Sequence, residues 1–191
     1  PMATSHAGAA GLWQFMVPTA KHYGMTVNSL IDERRDPIKS SRAAAKYLKD
    51  LYNSFGDWTL AIAAYNCGRN NVLKAIKRAG GARDYWAIYP YLPRETRGYV
   101  PAFIAANYVM NYYCDHKIPA MKTIAPAETD TVVVTRSLHL GQVAAACNLD
   151  FETVQAMNPQ YRTGVVPGNA QPCALRLPMT AIDRFLQLGD S

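Results

Sequence analysis

No stretch of this 191-residue sequence is both long and apolar enough to cross a bilayer. The longest uncharged run, Gly98 to Cys114, has 17 residues and is interrupted by Pro101, Asn107 and Asn111, where roughly 20 apolar residues are needed. Cysteine is sparse too. Cys67, Cys114, Cys147 and Cys173 form no CxxC pair, which argues against structural zinc and against a disulfide scaffold. Cys147 and Cys173 are the one pair that invites a bridge, which would close about 25 residues and contribute about 3 kcal/mol; the alternative is two buried thiols. The opening Pro1-Met2-Ala3 has neither a basic nor an apolar region behind it, so it reads as a fragment or processed product and not as a signal peptide. With 49% apolar and 18% charged residues, disorder and collagen are excluded as the main state. The length allows one domain, or one domain and a small module.

The net charge of +6 is uneven. Residues 1–118 hold 15 basic and 8 acidic side chains, whereas residues 119–191 hold 5 and 6. This asymmetry predicts two units, the first facing something anionic. The basic residues are spread singly along helical segments, so a solvated helix surface explains them as well as a polyanion does. A nucleic-acid-binding protein would show a steep salt dependence of DNA binding.

Residues 1–118 read as helical. Asp36-Pro37 is a good cap and first-turn pair for a helix from Ile38 to Phe55, closed by Gly56. Asp57 caps an apolar segment, Trp58 to Tyr65. Another helix starts at Asn70 or Asn71 and stops at Gly80-Gly81, and a last one runs from about Pro93 to Cys114, where Pro101 is expected to kink or restart it. Residues 119–129 hold two prolines and no periodicity, which predicts a linker. Beyond it, Thr131 to Thr135 reads as a strand, Leu140 to Cys147 and Phe151 to Met157 as helices, and Ala174 to Leu177 as a closing strand. The expected module, residues 130–178, is a two-stranded sheet backed by helices, followed by a tail, 179–191, with helical spacing.

Three segments stand out chemically. They are Ser5-His6-Ala7-Gly8-Ala9-Ala10-Gly11-Leu12-Trp13-Gln14-Phe15-Met16, then Ala64-Tyr65-Asn66-Cys67-Gly68 with Asn71-Val72, then Leu92-Pro93-Arg94-Glu95-Thr96-Arg97-Gly98-Tyr99-Val100-Pro101. Of the chain's 20 aromatic residues, 17 lie before residue 119, and Tyr and Trp faces suit sugar rings as well as cores. In order and content these segments resemble the second, third and fourth motifs of the Slt-type lytic transglycosylases. The later unit, with Asn158-Pro159, Pro167-Gly168 and Leu175-Arg176-Leu177-Pro178, looks like a LysM peptidoglycan-binding module.

The resemblance implies a mainly α protein: a lysozyme-like helical domain over residues 1–118, then a small βααβ LysM-like module. It implies cleavage of the β-1,4 bond between N-acetylmuramic acid and N-acetylglucosamine of peptidoglycan, leaving 1,6-anhydromuramic acid ends. One carboxylic acid, kept protonated by apolar surroundings, donates to the leaving oxygen and then takes the proton of the sugar's C6 hydroxyl. No cofactor and no metal is implied. The implied partners are glycan strands and no nucleic acid. The implied location is the cell envelope, periplasmic, with outer-membrane association through an anchor outside this chain. Carried over by position, Ser5 and Tyr99 are the candidate catalytic residues, and Gln14, Met16, Tyr65 and Asn66 the candidate substrate-binding residues.

The departures also set expectations. Gly68-Arg69-Asn70-Asn71 replaces the family's Gly-Pro-Gly-Asn, Val17 stands where a proline follows Met16 in the family, and Ser137-Leu138-His139 replaces the Gly-Asp-Thr turn of LysM modules. Loss of that polar turn predicts weak glycan binding. The family's first motif, Glu-Ser, would lie ahead of Pro1, so residues 1–191 alone are expected to be inactive. Glu33 and Glu95 are the acids to consider as substitutes, with Glu95 expected to pair with Arg94 or Arg97. The alternative is a peptidoglycan-binding protein of the same fold with no catalytic activity.

Overall fold

The computed structural model describes residues 1–119 and 128–189; most of the expected 119–129 linker lies outside the described residues. The chain forms two compact units, whose boundary falls within a helix: residues 1–43 with the C-terminal residues, and residues 44–119. The architecture is mainly α, as the sequence predicts, and among the described residues no helix is long and apolar enough to cross a membrane.

In the first unit, residues 1–15 form closely bridged turns, with Ala10 paired to both Thr4 and Phe15, before α1 (Val17–His22). The charged run that follows is not a solvated surface. Asp32, Glu33, Arg34 and Asp36 are each under 10% exposed. Burial of so many charges is tolerated because they are paired: Arg34 bonds both Asp32 oxygens at 2.8 Å, Lys39 pairs with Glu33, and Asp36 accepts the amides of Ile38 and Lys39 as the cap of α2 (Pro37–Phe55).

The C-terminal residues of this unit form β1 (Thr129–Val134), β2 (Ser137–His139), α7 (Leu140–Cys147), α8 (Phe151–Met157), β3 (Val165–Pro167), β4 (Cys173–Pro178) and α9 (Met179–Gly189). β1 and β4 pair antiparallel from Thr129↔Pro178 to Val134↔Cys173, the sheet the sequence predicts. Cys173, Leu175 and Leu177 alternate onto the buried face, the period of 2 expected of a one-sided strand. A second antiparallel pair, β2 with β3, was not legible in the sequence. Its β2 strand is the Ser137-Leu138-His139 segment, and there His139 caps α7. The His139 Nδ1 accepts the Gly141 amide at 3.0 Å while Gln142 accepts the His139 amide at 3.1 Å, a reciprocal capping box. Asn158 is fully buried and fully used, with Nδ2 donating to Val154 and Arg176 carbonyls and Oδ1 accepting the Arg176 amide. Cys147 and Cys173 are buried free thiols in one apolar core.

That core also holds Ile31. The Asp32 amide donates to the Gln160 carbonyl at 2.8 Å and the Arg162 amide to the Leu30 carbonyl at 2.9 Å, so Ile31 and Tyr161 form an isolated antiparallel bridge.

The second unit is built on α3 (Trp58–Cys67), whose Leu60, Ala61, Ala63 and Ala64 have no exposed surface. A helix apolar on all sides is a central one. Asp57 caps it, accepting the Leu60 amide at 2.8 Å, as expected. Gly68, at φ +86°, ends α3 and starts α4 (Arg69–Arg78) in a single residue, a turn that only glycine makes without strain. A short α5 (Tyr85–Ile88) and one 3-10 turn (Tyr89–Tyr91) lead to α6 (Arg94–Tyr112). α6 neither ends nor restarts at Pro101.

Candidate active site

The six residues singled out by sequence fall on two stretches of structure. Ser5, Gln14 and Met16 sit on the N-terminal turns. Ser5 Oγ accepts the Ala9 amide at 3.0 Å, and the backbones of Ser5 and Ala9 also bond at 2.8 Å, so this serine closes its own turn and its hydroxyl hydrogen is not consumed in doing so. Gln14 adopts φ +50°, an uncommon conformation for a residue with a β-carbon. Its Nε2 donates to the Gly11 carbonyl at 2.7 Å, which locks the side chain at the turn. Met16 is 43% exposed as the residue before α1, whose first turn holds Pro18.

Arg34 holds this loop. Its guanidinium, beyond its pairing with Asp32, donates to the Gly8 carbonyl at 2.8 Å and the Phe15 carbonyl at 3.0 Å. Gly11, at φ +84°, lies so close that a β-carbon there would sit 1.8 Å from the Arg34 carbonyl oxygen. Burial, the largest influence on Asp32, pushes its carboxyl upward, but the hydrogen bond and charge of Arg34 with the charge of Arg35 overcome it and hold the group below the usual range. Sequence alone does not single out Arg34, because a charged run reads as surface; Gly11 was its signal, since a glycine inside a motif often marks close backbone approach.

Tyr65, Asn66 and Tyr99 come together in the second unit, where the end of α3 faces the start of α6. Asn66 Oδ1 accepts from Thr96 Oγ at 2.8 Å, and Asn66 Nδ2 donates weakly to Glu95 Oε1 at 3.4 Å. Glu95 is therefore turned to Asn66, not to Arg94 or Arg97 as expected. Arg97 is spent on the Leu92 and Pro90 carbonyls, at 3.0 and 2.9 Å, which fixes the turn before α6. The Tyr65 ring lies 5.2 Å from that of Tyr47. Burial first, and then the neighbouring Tyr99 and Tyr47 hydroxyls, push the Tyr65 phenol well up, and burial does the same to Tyr99. Both remain protonated donors at neutral pH. Tyr99 as a residue is 39% exposed. Thr96, fully buried, belongs to the third of the motif segments, and only the fold shows that it orients Asn66.

Among the described residues no cluster of three His, Cys, Asp or Glu could hold a metal ion. The arrangement offers neutral donors and amides beside aromatic faces, which suits positioning a neutral polar chain such as a glycan.

Residues 1–88 match the transglycosylase SLT domain, and residues 128–191 match the LysM-like domain of lytic transglycosylase MltD. The chain carries both domains. The SLT domain is lysozyme-like, in keeping with the helical assembly, and the LysM-like domain fits the small C-terminal sheets. Membrane-bound lytic murein transglycosylase D of Escherichia coli K12 is 30% identical over 189 residues, 97% of this chain and 41% of that protein. Membrane-bound lytic murein transglycosylase F of Shewanella loihica is 34% identical over 132 residues, 58% of this chain and 26% of that protein. A putative tributyltin chloride resistance protein of Alteromonas is 44% identical over 75 residues, 39% of this chain and 36% of that protein. The chain spans about two fifths of the length of the first of these relatives. Ile31 of the isolated bridge thus belongs to the SLT match, and its partner Tyr161 to the LysM-like match.

Proposed function

We propose that this chain is part of a peptidoglycan lytic transglycosylase of the cell envelope, which cleaves the N-acetylmuramic acid to N-acetylglucosamine bond and leaves a 1,6-anhydro end. The observation that carries the reading is the Thr96, Asn66 and Tyr99 group on facing ends of α3 and α6, in two segments that resemble SLT motifs. In this reading Asn66, held by Thr96, hydrogen-bonds the sugar, Tyr65 and Tyr99 donate from neutral hydroxyls, and Ser5, Gln14 and Met16 of the N-terminal turns are further candidate contacts. The C6 hydroxyl attacks the anomeric carbon as a carboxyl protonates the leaving oxygen, and the same carboxylate then holds the proton that C6 loses. That carboxyl is a residue outside 1–191. Glu33 is committed to Lys39 and the Thr26 amide, and Glu95 is exposed, whereas a proton-donating carboxyl needs an apolar enclosure.

The test is anhydromuropeptide release from purified sacculi, read by mass spectrometry. Residues 1–191 should release none, and a longer parent carrying Glu-Ser upstream should release them. In that parent, Asn66→Ala and Tyr99→Phe should each lower turnover about 10²-fold with little change in melting temperature. Release by residues 1–191 alone would assign the acid to Glu95. A longer parent that binds sacculi without cleaving them would favour the inactive, binding-only alternative.

A further inference from the structure

Every side chain that α4 turns to solvent is basic or uncharged. Val72 and Ala75 bury one face of this helix, which leaves Arg69, Asn70, Leu73, Lys74, Lys77 and Arg78 exposed on the rest. Residues 69–83 hold five basic side chains and no acidic one, half of the ten basic residues in 44–119. Among the described residues none of the five, Arg69, Lys74, Lys77, Arg78 and Arg83, has a side-chain hydrogen bond or ion pair. The arrangement is costly for the helix itself. Lys74 stands three and four residues before Lys77 and Arg78, spacings at which like charges repel. Arg69 opens the helix, where the macrodipole disfavours a cation, although Lys77 and Arg78 suit its other end. Charge left unanswered within the chain is matched to an anion outside it. Apolar groups lie alongside. α5 and the 3-10 turn pack against α4 and add Trp86, 61% exposed, and Tyr91, 44% exposed, while α4 itself adds Leu73 at 37%.

We infer that this face docks on an anionic phospholipid surface, with the α4 cations at the headgroups and Trp86 at the interface. A helix flank is convex, so it offers no seat to a small anion, whereas a plane of charge meets several of its cations at once. Exposed Trp and Leu beside Lys and Arg are the pairing of an interfacial surface. A carboxylated polymer would answer the cations but would not draw Leu73 out of water. Such docking goes beyond the function proposed above and acts whether or not the protein cleaves glycan.

The experiment is co-sedimentation of the 191-residue chain with lipid vesicles, one set of equal parts phosphatidylglycerol and phosphatidylcholine, the other of phosphatidylcholine alone. Binding to the anionic set should be at least about tenfold stronger in about 0.02 M salt and should fall toward that of the neutral set in about 0.5 M salt, where charges are screened. Each cation contributes about fivefold at such a surface, so the triple variant Lys74→Gln, Lys77→Gln, Arg78→Gln should bind about 10²-fold more weakly with its melting temperature held. Trp86→Ala should lose about tenfold or more at either salt concentration. Equal binding to both vesicle sets, binding to neither, or unchanged affinity in either folded variant would overturn the inference. So would a triple variant that loses purified sacculi but keeps anionic vesicles, which would assign the face to carboxylates of the wall. Should a variant fail to fold, the two vesicle sets and the salt dependence of the unaltered chain decide alone. Turnover is not read, so failure here leaves the proposed glycan cleavage standing.

Discussion

The Tyr85 hydroxyl donates to the Arg97 carbonyl at 2.9 Å, the one acceptor in α6 that Pro101 leaves without its helical amide. A proline inside a helix removes the bond from its own position to the carbonyl four residues back and normally costs about 3 kcal/mol or more. Here a phenol from α5 supplies the missing donor, so the helix that carries Thr96 and Tyr99 runs on unbroken. Tyr85 itself is 1% exposed and meets the rings of Trp86 and Tyr89 edge-on.

Tyr85→Phe should therefore destabilise the protein by about 1–3 kcal/mol, the cost of a buried acceptor left unpaired. Pro101→Ala restores an amide to the same carbonyl. Chemical denaturation of both single variants and the double should show strong coupling, with Tyr85→Phe costing much less when residue 101 is alanine. Additive effects would mean that the phenol is only a packing element.

Gly11→Ala should be severely destabilising or should unfold the N-terminal turns. It asks for a β-carbon 1.8 Å from backbone and at φ +84°, a strain of at least about 1–3 kcal/mol before any clash is relieved. Gly8→Ala, at φ +86° with nothing within 4 Å, meets no such obstacle and should cost about 1 kcal/mol by backbone conformation alone. Thermal unfolding of the two variants side by side separates close approach from φ.

Ile31→Ala removes an apolar side chain that is 3% exposed and shared with the core of the LysM-like domain. It should cost about 2–5 kcal/mol. Amide exchange should rise most at Asp32 and Arg162, whose bonds join residues 30–32 to residues 160–162. Equal exchange in variant and parent would mean that the bridge between Ile31 and Tyr161 holds without its apolar anchor.

Asp32 sets an acid limit. Its carboxyl is held lower in the folded protein than the ordinary aspartate value of 3.8, so the stability it contributes is fully present above about pH 4 and is lost as pH falls through the lower folded value. Asp32→Asn should flatten this part of the acid-denaturation curve. It should also cost about 3 kcal/mol or more at neutral pH, by leaving the buried Arg34 unpaired. Urea midpoints measured from about pH 2 to about pH 7 read both effects.

Local chemistry was legible in the sequence. Asp36, Asp57 and Asp150 each start a helix where a short carboxylate side chain can take the first free amides. Alternating apolar residues place β4, and three ordered motifs name the segments that carry the candidate site. All of these signals lie within a few residues of what they specify. The tertiary structure decided the rest. Ile31 and Tyr161 pair across 130 positions, and no periodicity in either segment reports a partner so distant. Likewise Glu95 turned to Asn66 because Arg97 was already held by two backbone carbonyls, and the run from Asp32 to Asp36 became buried because Gly8 and Phe15 presented acceptors for Arg34. A charged residue settles where its partners are, and only the fold brings those partners within hydrogen-bonding distance.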